Sequence, residues 1–292
     1  MCGKVVESIA VRTWKEDDIE YVSKSIAREQ WGHTRRDVER CWRWEPDGCF
    51  IAESESGPVG HVSTICYGRL GWIGLLIVHP EKRGKGIGTT LIRRAIRYLK
   101  LEGAETIRLE AEETAVSLYR SLGFNDEFDS LRFAGRKNRS RIELSAKEII
   151  RMQSEDVERL LALDSKYFGS PRLRVLKKLF EDAPSHCFVA NHGQEPAGYI
   201  MARKIRDAFW VGPWVCEDSS LSRKLLEACI STIEDENTEL RLGFPSANES
   251  MSTLARMKGF EFKGKNVRMV FGISSHQGVP QGVYGLAGPE KG

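Results

Sequence analysis

Leu75-Leu76-Ile77-Val78-His79-Pro80-Glu81-Lys82-Arg83-Gly84-Lys85-Gly86-Ile87-Gly88 joins an apolar run to a basic, glycine-rich turn. Over residues 87–101, Ile87, Leu91, Ile92, Ala95, Ile96 and Leu99 recur at i, i+3 and i+4, with Arg93, Arg94, Arg97 and Lys100 between them. That spacing predicts an amphipathic helix. A strand, a glycine turn and a helix in this order aim several backbone N–H groups at one point, where the positive end of the helix dipole adds to them. The arrangement calls for an anion, and a pyrophosphate suits it best.

Two familiar nucleotide loops fail on the residues. A phosphate loop of the form G-x-x-x-x-G-K-[ST] is broken by Gly86 after Lys85 and by His79 at the first glycine position, and G-x-G-x-x-G is broken at Thr89. The pattern [Q/R]-x-x-G-x-[G/A] does fit, through Arg83, Gly86 and Gly88. With the preceding Val78-His79-Pro80, the segment resembles the acetyl-CoA pyrophosphate loop of the GNAT N-acetyltransferase superfamily. The resemblance implies a mixed α/β fold and acetyl-CoA as co-substrate. It also implies a pyrophosphate held by Arg83, Gly84, Lys85, Gly86, Ile87, Gly88 and Thr89, and a pantetheine arm paired with the backbone of Ile77 and Val78.

The totals narrow the classes. The length, 292 residues, suits two domains, each with its own core. A net charge of +3 from 44 basic and 41 acidic residues argues against a dedicated nucleic-acid binder. Seven cysteines, odd in number and without a C-x-x-C, read as free thiols of a reducing cytoplasm. His186, Cys187 and His192 are neighbours in sequence, but no second ligand pair accompanies them, so no metal is expected. The N-terminus lacks an apolar signal region, and the longest apolar run near the motif, 72–78, is too short to span a bilayer. The expectation is a soluble cytoplasmic protein with neither membrane nor nucleic acid as partner.

Along the chain, strands are expected over 5–14, 49–53, 59–67, 71–78, 106–111 and 128–134, with helices over 15–30, 34–44, 89–101 and 115–122. Residues 136–141 form a basic, aperiodic run read as a linker, with a clamp on the cofactor's ribose phosphate as the other reading. The second half repeats the order: strands over 149–152, 187–191, 197–202, 208–215 and 239–242, and helices over 154–167, 171–180, 220–233 and 250–257. The repeat is also one of residues. Leu118, Arg120, Gly123, Phe124 and Arg132 match Leu254, Arg256, Gly259, Phe260 and Arg268 at one constant offset, and Val78-His79-Pro80 is echoed by Val211-Gly212-Pro213. Two tandem units follow, 1–138 and 146–292.

The two units differ where it matters. Opposite Arg83-Gly84-Lys85-Gly86-Ile87-Gly88 the second has Cys216-Glu217-Asp218-Ser219-Ser220-Leu221, without glycines and with two carboxylates that repel phosphate. The helix behind survives, Leu225, Leu226, Cys229, Ile230 and Ile233 standing for Leu91, Ile92, Ala95, Ile96 and Leu99. The second unit is therefore expected to be a scaffold, a substrate wall or a homodimer surface. Residues 278–292, rich in Gly and Pro, read as extended.

Acetyl transfer to an amine needs an uncharged nitrogen, stabilisation of the oxyanion and a proton for the thiolate. Residues 115–124 resemble the A-x-x-L-Y-x-x-x-G-F signature of the family, whose tyrosine is the usual general acid; that role falls on Tyr119, and its counterpart in the second unit is Ala255. The strand before the loop carries no carboxylate, so Glu110, with Glu112 and Glu113 near it, is the candidate base. Family members roof the acceptor site with the first helix pair; here Trp31, Trp42 and Trp44 either box an ammonium or anchor a helix. The reading is an acetyl-CoA-dependent N-acetyltransferase acting on a small-molecule or protein amine, its first unit catalytic. The alternative is a non-catalytic acyl-CoA sensor or assembly module.

Overall fold

The structure is a computed structural model that describes residues 8–137, 148–273 and 277–292. The first half runs β1 (Ala10–Thr13), α1 (Asp18–Arg28), α2 (Arg35–Trp44), β2 (Phe50–Ser54), β3 (Gly57–Tyr67), β4 (Leu70–Val78), α3 (Ile87–Leu101), β5 (Thr106–Ala111), α4 (Val116–Ser121) and β6 (Asn125–Arg136). The second repeats it with β7 (Ile149–Arg151), α5 (Ser154–Arg159), α6 (Leu161–Phe168), α7 (Leu173–Asp182), β8 (Cys187–His192), β9 (Glu195–Lys204), β10 (Ala208–Cys216), α8 (Ser219–Ser231), β11 (Glu239–Pro245), α9 (Glu249–Met257), β12 (Glu261–Gly272) and the added β13 (Val283–Gly285).

Local chemistry explains the helix starts. Thr34 caps α2 in a box with Asp37: the Thr34 backbone N–H donates to Asp37 at 2.7 Å and the Asp37 N–H donates back to Thr34 Oγ1. The helix expected over 154–167 is interrupted at Leu160, and its cap is Gln153 rather than Ser154. Residues 138–141 of the expected linker lie outside the described residues; Arg136 still belongs to β6.

All strands join one sheet in the order β1-β2-β3-β4-β5-β12-β6-β11-β10-β9-β8-β7, with β13 against β10. The two halves thus exchange their last strands. β12, from the second half, pairs with β5 of the first, while β6 pairs with β11. The exchanged strands pair with each other in a register that maps onto itself under the constant sequence offset: Arg268 faces Phe128, Gly264 faces Arg132, and Asn266 faces Ser130 on the pseudo-two-fold axis. Strand β12 is absent from the expected elements.

Helices cover both faces. α3 packs on β2–β5 through Leu91, Ile92, Ala95 and Leu99, and α8 and α9 cover the equivalent face of the second half. On the opposite face α1, α2 and α5–α7 share a single core in which Ile26, Val38, Trp72, Leu160, Leu176 and Tyr199 lie together. Trp44 is buried there and Trp42 packs against it, so these two tryptophans anchor a helix. Exchanged strands and a common core weld the halves together.

His61 on β3 belongs to this buried surface and is 0% exposed, with Ser25 Oγ 2.8 Å from its Nε2. Burial pushes its imidazole down to about 3, against an ordinary 6.5. Between those values the unfolded chain binds a proton that the folded chain refuses, so stability is complete above about pH 6.5 and falls on acidification, by about 1.4 kcal/mol per pH unit. Urea unfolding at pH 6.5 and 4.5 is expected to differ by about 2 kcal/mol from this group, and His61→Gln should flatten the difference. An unchanged pH slope in that variant would refute the assignment.

Candidate active site

β4 and β5 run parallel and pair only from Leu70 with Thr106 to Ile73 with Leu109, then diverge. Beyond Ile73 the β5-facing edge of β4 is unpaired. Leu75, at the register shift against β3, takes a φ of 49°, a left-handed conformation rare for a branched residue and one that re-aims the following peptide groups. The His79 N–H donates to Val59 O at 2.8 Å. Strand alternation then turns the backbone of Val78 toward the wedge and that of Ile77 toward β3. The backbone of Val78 therefore borders the wedge, and that of Ile77 is taken up in the pairing with β3.

At the open end of the wedge lies the glycine turn. Gly84 and Gly86 have φ of 77° and 78°, and a Cβ on either would meet nothing within 4 Å, so both face open space in a conformation that disfavours other residues. Gly86 is the N-cap of α3 and offers no side chain to the helix terminus, leaving the N–H groups around Ile87, Gly88 and Thr89 for an external anion. Lys85 is exposed and makes no ion pair with a described residue. The Arg83 side chain is engaged within the chain: its Nε donates to Val78 O at 3.0 Å and its guanidinium pairs with Glu29. It holds the turn to the strand.

The wedge opens into a cavity of about 500 Å³ lined by both halves. Gly74, Glu110, Glu112 and Tyr119 line it on the first-half side, with Trp31 as part of the roof. Trp210, Arg132 and Asn266 line it further along, and Glu290 enters from residues 286–292. Tyr119 is 6% exposed, edge-on to Phe124 at 5.7 Å, and its hydroxyl makes no hydrogen bond to a described residue. Burial, with the Glu112 charge adding to it, pushes the phenol above its ordinary value. Glu112 is engaged by Trp31, whose Nε1 donates to Oε1 at 3.0 Å. The Glu110 side chain is 0% exposed; Arg268 of β12 donates Nε to its Oε1 at 2.6 Å, while its Oε2 has no partner.

Residues that the sequence reading did not single out complete the site. Arg268 comes from the second half and stacks over Trp72 and Phe128 at 4.7 and 4.9 Å. Glu290 is packed so closely on Gly74 that a Cβ there would stand 2.6 Å from its Cα. Its carboxylate pairs with Lys291, and its Oε2 lies 3.1 Å from Nε2 of His33, which burial keeps neutral by pushing it down to about 3. Trp72 Nε1 and Tyr67 Oη fix this segment by donating to the carbonyls of Pro289 and Lys291, each at 2.9 Å. The constant offset marks Arg268 as the twin of Arg132, but only the register reveals what each faces.

The equivalent wedge of the second half is filled. β10 and β11 pair over Ala208–Trp210 and then diverge as β4 and β5 do, but β13 pairs antiparallel with β10 there, and the Leu286 N–H donates to Gly243 O at 2.8 Å. At the end of that wedge Asp218 caps α8, accepting from the N–H groups of Ser220 and Leu221 at 2.7 and 2.9 Å. A carboxylate of the chain caps α8, whereas Gly86 gives α3 no side-chain cap. Among the described residues no cluster of His, Cys, Asp and Glu could hold a metal.

This fold and its glycine-turn wedge define an acyltransferase of the GNAT class, and the chain belongs to that family as a tandem of two such domains. The Acetyltransferase (GNAT) family model matches residues 11–124 and an Acetyltransferase (GNAT) domain model matches 160–285. Holothin acyltransferase of a Pseudoalteromonas species is 23% identical over 278 residues, 94% of this chain and 92% of that protein. Mycothiol acetyltransferase of Streptomyces coelicolor is 29% identical over 136 residues, 41% of this chain and 44% of that protein. In three dimensions a proposed acetyltransferase of Pyrococcus horikoshii overlays with a TM-score of 0.81 at 24% identity, covering 97% of this chain and 96% of the other.

Proposed function

We propose that the chain is an acetyl-CoA-dependent N-acetyltransferase for a primary amine on a small molecule, with residues 1–138 as the catalytic unit. Residues 146–292 would form the unit without a cofactor site, and each unit is completed by the other's last strand. The contrast between the two wedges carries this reading: one is open beside an uncapped helix terminus, the other filled by β13 and capped by Asp218. A cavity of about 500 Å³ has room for a compact acceptor, in keeping with the small molecules named for holothin and mycothiol acyltransferases.

The residues present fit an acyl-CoA. The N–H groups of the turn and of the first turn of α3 would hold its pyrophosphate, Lys85 would add charge, and the free edge of β4 about Val78 would pair with pantetheine. Bound there, the thioester supplies an activated acyl carbon. In direct attack the amine nitrogen bonds that carbon, the carbon–sulfur bond breaks, and Tyr119 protonates the departing sulfur. Glu110, with Oε2 free and Oε1 held by Arg268, takes the proton that the amine loses. The six cysteines among the described residues are free thiols, which suits the cytoplasm, and none of the described helices is long and apolar enough to cross a membrane.

The test measures thiol release from acetyl-CoA across an amine panel, together with acetyl-CoA affinity by calorimetry. Transfer to at least one amine is expected, and Gly86→Val should weaken acetyl-CoA binding by about tenfold or more, because a branched residue resists the left-handed φ and its Cβ would enter the phosphate space. Stoichiometric binding without release on any amine would leave the acyl-CoA sensor as the correct reading.

A further inference from the structure

We propose that the acceptor carries a carboxylate remote from its amine and that Arg132 is the residue that binds it; this deepens the acyltransferase reading and rests on it. The argument comes from the broken symmetry of the two halves. Arg268 and Arg132 are images of one another on the exchanged strands, each facing the parallel-paired strand at the far side of its wedge. Opposite Arg268 stands Glu110, and the two form a buried pair. Opposite Arg132 stands Gly243, which offers no carboxylate. Arg132 makes no hydrogen bond or ion pair with a described residue, although it lines the cavity, and its guanidinium lies over Gly264.

The other cations on this wall each have a carboxylate of the chain beside them: Arg241 pairs with Glu239 at 2.5 Å, Lys263 with Glu261 at 2.7 Å, and the buried Arg203 lies 3.8 Å from Asp37. Arg132 is thus the guanidinium of the wall whose anion the chain does not supply. Between it and Glu110 the cavity floor is polar and unsatisfied. Asn266 is 6% exposed and its Oδ1 has no partner, nor has Oε2 of Glu110, and both residues line the cavity. Buried polar atoms without partners are rare in folded proteins, and these two on one cavity are groups that a polar ligand would satisfy. Trp210, the counterpart of Trp72, adds an aromatic wall beside Arg132.

Distance sets the chemistry. Arg132 and the Glu110–Arg268 pair are separated by four residues along β12, about 13 Å between backbones before either side chain reaches inward. An α-amino acid is too short to touch both. An amine with several bonds, or a ring, between nitrogen and carboxylate fits.

The probes are ω-aminocarboxylates from six to ten carbons, each compared with its methyl ester. For the best length, kcat/KM for the acid is expected to exceed that of the ester by about 10- to 100-fold, the weight of a charge-assisted hydrogen bond. Arg132→Ala should collapse the acid-to-ester ratio toward one, and Arg132→Glu should move preference toward diamines of equal length, both with unchanged acetyl-CoA affinity. A ratio near one in the unaltered protein, or a ratio that survives Arg132→Ala, overturns the proposal. Calorimetry of the same acids against protein loaded with CoA separates the two readings. Arg132-dependent binding without turnover would sustain the acid site while sinking the acyltransferase reading; no acid binding at any length overturns the site itself.

Discussion

Tyr119→Phe is expected to lower kcat by about 10²- to 10⁴-fold, the usual weight of a positioned general acid, while acetyl-CoA affinity stays within about twofold, because Tyr119 is not among the residues proposed to hold the pyrophosphate. The substitution removes one oxygen and keeps the ring, so the edge-on packing against Phe124 at 5.7 Å survives. Burial and the Glu112 charge both favour the neutral phenol, which is therefore protonated throughout the ordinary assay range and ready to meet a nascent thiolate. Two readouts separate chemistry from packing. Thermal unfolding of the variant should be nearly unchanged, and acyl donors with better thiol leaving groups should recover part of the lost rate, since they need less protonation. A variant that keeps its turnover, or loses it equally with every donor, would move the acid elsewhere.

Tyr119 and the glycine turn were legible because both are local: a signature on one short helix, and a strand–turn–helix whose periodicity changes within fifteen residues. The same holds for Asp218, whose place just before a helical period marks it as the N-cap of α8. What sequence pattern does not carry is the choice of pairing partner. β6 and β12 occupy equivalent places at one offset, with Arg132 and Arg268 in common, so either could lie beside β5, and nothing local distinguishes the exchanged arrangement from the unexchanged one. β12 also alternates lysine and glycine through its first half, which hides it from a hydrophobic period. Residues 283–292, short of apolar pattern, become buried only because they fill a wedge built by β10 and β11 and then pass Trp72 and Gly74. The polarity of the cavity stayed out of sight for the same reason, since it depends on which residue faces Arg268 and which faces Arg132.

Arg268→Leu is expected to destabilise the protein by about 3–5 kcal/mol, the range for removing one partner of a buried ion pair. Glu110 would remain, its side chain 0% exposed and fixed on β5 between β4 and β12, with no guanidinium at its Oε1. Stacking over Trp72 and Phe128 would be lost as well, so Arg268→Lys, which keeps the charge without the planar fork, should recover only part of the deficit. The double variant Arg268→Leu, Glu110→Gln removes the uncompensated charge and should regain about half or more of the loss, as buried pairs replaced together typically do. Its activity should nevertheless stay low, because Glu110 no longer accepts a proton. Urea unfolding of the three variants measures the coupling, and thiol release measures the chemistry. If the single substitution costs less than about 1 kcal/mol, Arg268 does not neutralise Glu110; if the double variant regains turnover along with stability, Glu110 is a structural anchor and the amine proton leaves by another route. Since Arg268 reaches Glu110 only because the last strands are exchanged, loss of turnover in both variants would bring β12 of the second half into the catalytic unit, although its own wedge is filled by β13.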